Sequence, residues 1–177
     1  MESKTEFGLT RSDGFGPIAN GHARVLILGT FPGAESLIRR EYYAQRRNMF
    51  WRIIEEVVGI SSSLPYEDRT RLLKERGIAL WDVCAEVRRS GSLDSAIQIS
   101  AVVPNDFSTF LDTHACLTRI CFNGATAEKI YRRKVLPELP VTARELPYVV
   151  LPSTSPAHAA MPLHQKVSRW RIALSRR

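Results

Sequence analysis

Apolar residues in this chain gather in short unbroken runs, at 24–28 (RVLIL), 78–84 (IALWDVC), 117–122 (LTRICF) and 148–151 (YVVL). Runs of this kind, without strict alternation, fit strands covered on both faces. Between them the spacing turns helical. Phe50, Ile53, Ile54, Val57 and Val58 make one stripe, and 125–133 is a shorter candidate. Leu163, Val167, Trp170 and Leu174 recur at three and four residues behind Pro162, a residue tolerated in a helix's first turn. Strands alternating with helices predict an α/β fold. The expected form is a single-domain three-layer sandwich with a central, mainly parallel four-stranded sheet flanked by helices. Residues 1–22 are polar, hold five Gly or Pro, and read as an N-terminal arm; residues 23–177 read as the domain. Ligands of parallel sheets bind beyond the carboxyl ends of the strands. The loops after Leu28, Cys84, Phe122 and Leu151 are therefore where chemistry is expected.

Charge narrows the class of partner. The chain has 177 residues and a formal net charge of +7, with a pI of about 9.7. Arg supplies 20 of its 25 basic residues. A planar guanidinium fits phosphate and stacks on bases, so the bias points to nucleic acid, although a generic basic surface would look the same. Cys84, Cys116 and Cys121 are odd in number and lack CxxC spacing. They suggest neither a disulfide framework nor a metal site, and are expected to be reduced and buried in a cytoplasmic protein. No apolar run approaches the length of a membrane span, and no membrane association is expected.

The four loops hold the unusual residues. Gly29-Thr30-Phe31-Pro32-Gly33-Ala34-Glu35-Ser36 follows the first run. Its glycines allow backbone N–H groups to approach a ligand, and the same residues also make an ordinary strand-to-helix turn. It is not a phosphate-binding P-loop, since no Gly-Lys-Ser/Thr follows. Next comes RREYYAQRRNMFWR at 39–52, in which five arginines interleave with Tyr42, Tyr43, Phe50 and Trp51. Arginines grip phosphates while aromatic faces stack on exposed bases. Phe50 and Trp51 are expected in the core, Tyr42 and Tyr43 at a functional surface. Asn48 stands where a helix N-cap would. Asn123, closing the third strand, offers a donor and an acceptor to a base edge and equally suits a turn. Ser153, Thr154 and Ser155 lie between Pro152 and Pro156 in a stiff loop suited to phosphate.

Taken in order, GTFPGAES, YYAQRRNMFW, FNG and LPSTSPAHA resemble the hypoxanthine-DNA glycosylase branch of the uracil-DNA glycosylase superfamily, over residues 23–170. The resemblance implies a monofunctional enzyme that flips a deaminated base out of double-stranded DNA and hydrolyses its N-glycosidic bond. No metal or other cofactor is expected, and the protein is expected to act as a monomer. Tyr43 matches the aromatic that stacks on the flipped base, and Asn123 the residue that reads its edge. Gly29, Thr30 and Phe31 form the base-binding first loop. Asn48 matches the catalytic Asn of the branch. Ser153, Thr154 and Ser155 match the loop that enters the minor groove. Arg46, Arg47 and His158 are expected at the DNA backbone, with Pro156 and His158 as candidates for the wedge. Two positions depart from the uracil enzymes. Phe31 stands where they carry a water-positioning Asp or Asn, and Leu151 where they carry a His that stabilises the leaving base. Hypoxanthine is the expected lesion. Uracil or mismatch excision, and non-catalytic recognition of damaged DNA, are the alternatives. Glu35 is a second candidate to activate water, competing with its ordinary role in a helix's first turn.

Overall fold

The computed structural model describes residues 10–89 and 102–175. Its strands, in chain order, are β1 (Thr10–Asp13), β2 (Val25–Gly29), β3 (Ile78–Asp82), β4 (Cys84–Arg89), β5 (Val103–Pro104), β6 (Arg119–Asn123) and β7 (Tyr148–Leu151). Its α-helices are α1 (Ala34–Arg39), α2 (Phe50–Val58), α3 (Tyr66–Glu75), α4 (Phe107–Thr113), α5 (Ala125–Ile130), α6 (Val141–Arg144) and α7 (Leu163–Ser175). The central sheet has the order β3-β2-β6-β7 with every neighbouring pair parallel, as the apolar runs predict. β2 and β3 are buried along their whole length, the environment that an unbroken apolar sequence suits. β7 is different. It is an edge strand, and Tyr148 and Val150, two residues apart on one face, are exposed.

The run at 78–84 divides into two strands. β3 stops at Asp82, and β4 leaves to join a second sheet of order β1-β4-β5, antiparallel throughout. The apolar pattern did not announce this second sheet. The chain turns at Val83, whose N–H donates to the Gly29 carbonyl at 2.9 Å, while the Cys84 N–H donates to the Thr30 carbonyl at 3.1 Å. These two bonds tie the end of β3 to the start of the first loop. Part of the segment expected as an arm is also hydrogen-bonded into this region: β1 pairs with β4, and Ile18 exchanges two 2.9 Å backbone bonds with Leu80.

The helices follow their stripes with one instructive shift. α2 buries Phe50, Trp51, Ile53 and Ile54. α5 runs on as a π turn over Tyr131–Val135, past the expected end. α7 starts behind Pro162, whose carbonyl accepts the Gln165 and Lys166 N–H groups. Its buried face is Lys166, Val167, Trp170 and Ala173, while Leu163 and Leu174 are only half-buried. Trp170 meets Phe50 edge to face at 6.0 Å and joins α7 to α2. Cys84 and Cys121 are buried, and burial pushes the Cys121 thiol up to about 12. Cys116 corrects the expectation of buried cysteines: it is exposed, in the turn between α4 and β6. Among the described residues no helix is long and apolar enough to cross a membrane.

Candidate active site

Register alone gathers the site. Gly29 pairs with Asp82, and Asn123 pairs with Leu151. Gly29 follows Leu28, whose partner Phe122 immediately precedes Asn123. Four parallel strands thus set Asp82, Gly29, Asn123 and Leu151 in one row at the carboxyl edge of the sheet. A cleft of about 580 Å³ opens there, within the size range of small-molecule sites. Its walls are the first loop from Gly29 to Ser36, the segment before α2 with Tyr43, Arg47 and Asn48, then Asp82 and Asn123, and the fourth loop from Ser153 to His158.

Each expected residue can now be located. Tyr43 sits in a left-handed backbone conformation, φ 57°, and its ring stacks on Phe50 with centroids 4.0 Å apart. Asn48 lines the cleft, and its Oδ1 accepts from the Phe50 N–H at 3.0 Å. Asn48 is not the N-cap expected, since Met49 holds that position; the bond makes an Asx turn leading into α2 and orients the amide, because only the oxygen can accept from a backbone donor. Arg47 contributes to the cleft wall; Arg46 is exposed but not part of the wall. Ser153 and Ser155 are half-buried at the rim, and the Ser155 hydroxyl accepts from the Ala157 N–H, capping a short 3₁₀ turn (Pro156–His158). His158 is exposed on that turn.

Two residues, Thr154 and Tyr42, behave otherwise than the sequence suggests, while Phe31 and Glu35 stay in the cleft wall. Thr154 is fully buried, so its side chain does not face the DNA. Instead it clasps Asn123: Asn123 Nδ2 donates to Thr154 Oγ1 at 2.9 Å, and the Thr154 N–H donates to Asn123 Oδ1 at 2.9 Å. Asn123 therefore has one amide hydrogen and one lone pair beyond this clasp. Phe31 is 6% exposed, with its ring beside Gly14, and it contributes to the cleft wall. Tyr42, expected at a functional surface, belongs to the core, edge-on to Phe15 at 5.2 Å. Burial first, and the Asp82 charge second, hold its phenol well above the ordinary range. Glu35 bonds to Arg39 at 2.5 Å, the ordinary role of an acid on an exposed helical turn.

Two polar residues escaped the sequence reading. Asp82 is 3% exposed and lines the cleft. Lys166 is 1% exposed, and its ammonium donates to the carbonyls of Ser153 at 2.6 Å and His158 at 2.8 Å. The signal for both was a charged residue inside an apolar strand or on a buried helical stripe, an arrangement that needs a reason.

A parallel α/β sheet with a polar cleft at its carboxyl edge, ringed by hydroxyls, amides and arginine, is the arrangement in which α/β domains bind small polar ligands. The model of the uracil DNA glycosylase superfamily matches residues 15–173. The chain belongs to that superfamily and is a DNA glycosylase. A hypoxanthine DNA glycosylase of Methanosarcina acetivorans is 35% identical over 133 residues, covering 70% of this chain and 83% of the relative. A hypoxanthine DNA glycosylase of Methanosarcina barkeri is 34% identical over 115 residues, 64% of this chain and 72% of the relative. A solution NMR structure of a Methanosarcina acetivorans protein assigned to the uracil DNA glycosylases superposes with a TM-score of 0.76 at 30% identity, covering 93% of this chain and 97% of the other.

Proposed function

We propose that this glycosylase acts, as a monomer, on double-stranded DNA carrying a deaminated base, hypoxanthine first, and leaves an abasic site. The observation that carries the reading is the exchange of roles in the cleft. Phe31, which matches the water-holding position of the uracil enzymes, cannot hold a water, and Asn48, from a different segment, lines the same cleft. The two curated relatives of similar sequence are both hypoxanthine enzymes. The flipped base would stack on Tyr43, on the ring face opposite Phe50. The remaining amide hydrogen and lone pair of Asn123 suit the edge of a purine, and the first-loop backbone suits the leaving anion. Asn48 holds the attacking water. Arg46 and Arg47, with Ser153, Ser155 and His158, contact phosphates around the lesion, and Thr154 keeps the fourth loop in place for them.

A cleavage assay tests this on matched duplexes carrying one hypoxanthine, uracil, xanthine or thymine mismatch. Hypoxanthine is expected to be excised, and Asn48→Ala to lower the rate by about 10²–10³-fold while binding to lesion DNA persists. An intact hypoxanthine duplex beside an excised uracil duplex would reassign the substrate.

A further inference from the structure

The first loop carries Phe31 at the position matching the water-holding residue of the uracil enzymes, and a buried carboxylate stands beside that loop on the neighbouring strand. Asp82 enters the cleft from the neighbouring strand. It is the register partner of Gly29 and ends β3 facing the cleft. The missing side chain of Gly29 is what admits it. A Cβ there would stand 2.3 Å from Asp82 Oδ1 and 2.8 Å from the Tyr43 hydroxyl. Carboxylate and phenol therefore crowd over the backbone of the first loop. The strand end is fixed from behind, since Asn105 Nδ2 donates to the Asp82 carbonyl at 2.8 Å. Next to Gly29, Thr30 Oγ1 is buried in the same cleft wall with no hydrogen-bond partner among the described residues. Placing a carboxylate in so buried a position opposes folding, because the charge loses its water. A strand otherwise made of Ile, Ala, Leu and Trp had apolar alternatives.

Asn48 alone leaves the chemistry incomplete. Its Oδ1 is engaged by the Phe50 N–H. An amide can hold a water through hydrogen bonds but does not take up the proton that the water releases on attack. We propose that Asp82 is a second catalytic residue, the general base for the attacking water, with the Thr30 hydroxyl as a further hydrogen-bonding group to that water. This rests on the glycosylase reading above. The water oxygen bonds to C1′ of the deoxyribose as the C1′–N bond breaks and its electron pair leaves on the base. The water's proton passes to Asp82, and the base anion takes a proton from solvent. The same negative charge faces the developing cation on the sugar, where it acts in a largely dry setting. The titratable and charged groups around Asp82 are Tyr42 and Tyr43 beside it and Glu35, Arg47 and His158 along the cleft.

The test is single-turnover excision by Asp82→Asn on hypoxanthine and uracil duplexes, with the pH profile, lesion-DNA binding and melting temperature of each protein. The expected rate loss is about 10²–10³-fold with binding kept. The fall in wild-type rate towards acid should disappear, because Glu35 and His158 are present in both proteins and only the Asp82 limb is removed. A rate within about threefold of wild type, or a lower rate with the acid limb unchanged, overturns the proposal. If Asp82→Asn melts early, Asp82→Ala assayed with added formate decides instead: rate recovery by the small carboxylate supports the role, and its absence refutes it. Should the wild type excise uracil and spare hypoxanthine, the substrate reading falls, while the comparison on uracil still judges Asp82.

Discussion

Gly29 carries more of the site than its size suggests. Alanine there would drive a methyl into Asp82 and the Tyr43 hydroxyl at 2.3 and 2.8 Å, so the carboxylate or the ring must move. Overpacking of this kind costs about 1–3 kcal/mol. Gly29→Ala is expected to lower both the melting temperature and the single-turnover rate. Gly21→Ala, where nothing lies within 4 Å of the added carbon, is expected to change neither. Tyr43 is constrained from the other side. A non-glycine residue at φ 57° carries roughly 1–2 kcal/mol of backbone strain. The 4.0 Å stack on Phe50 holds the ring in place against it. Strain kept at a ligand site fits a ring whose orientation matters more than its comfort.

Among the elements, the fourth loop shows how a stretch of Ser, Thr and Pro becomes a rigid tool. It is pinned from β6 by the Asn123–Thr154 clasp, from the start of α2 by the Met49 N–H on the Thr154 carbonyl, and from α7 by Trp170 Nε1 on the Pro152 carbonyl. Lys166 adds its two bonds from the same helix. Burial holds the Lys166 ammonium below its ordinary range, so desolvation works against the charge and its two hydrogen bonds offset that cost. Lys166→Met removes the donor while keeping most of the apolar stem. It is expected to destabilise the fold by about 1–3 kcal/mol, since hydrogen bonds to charged groups are the strong ones. It should also weaken DNA binding more than it slows excision at saturating DNA. Thermal melts and a DNA titration run beside single-turnover kinetics read both effects.

For the whole molecule, two consequences follow from charge and burial. The +7 chain is expected to bind DNA with a steep dependence on salt, because each neutralised phosphate releases counterions. Arg46→Ala and Arg47→Ala should each flatten the plot of log affinity against log salt by about 0.9 if each contacts one phosphate. An unchanged slope in the double variant would remove both from the interface. Stability should respond to alkali. Burial raises the Cys121 thiol from 9.0, and the Tyr131 phenol from 10.0, each to about 12. Both groups are neutral in the fold and ionise more readily in the unfolded chain. Their contribution is therefore complete below the unfolded values and is lost as pH rises towards 12. Melting temperature is expected to fall across that window, and less steeply in Cys121→Ala.

The α/β class, the parallel sheet and the position of the cleft were legible in the chain. An unbroken apolar run such as VLILG is dictated by burial on both faces, and loops at strand ends are where parallel sheets bind ligands. The glycosylase family was equally legible, because its motifs are contiguous. What tertiary structure decided are the partnerships between residues far apart in sequence. Asp82 lies inside an apolar run and acquires a place in the site only when β3 registers beside β2. Thr154 looks like a hydroxyl for DNA until Asn123 engages it from another strand. Lys166 looks like a surface lysine until the fourth loop folds over it, and Tyr42 and Tyr43, adjacent in the chain, are separated into core and cleft. Periodicity reports which face of an element is buried; it carries no information about which polar groups the other elements bring to meet it.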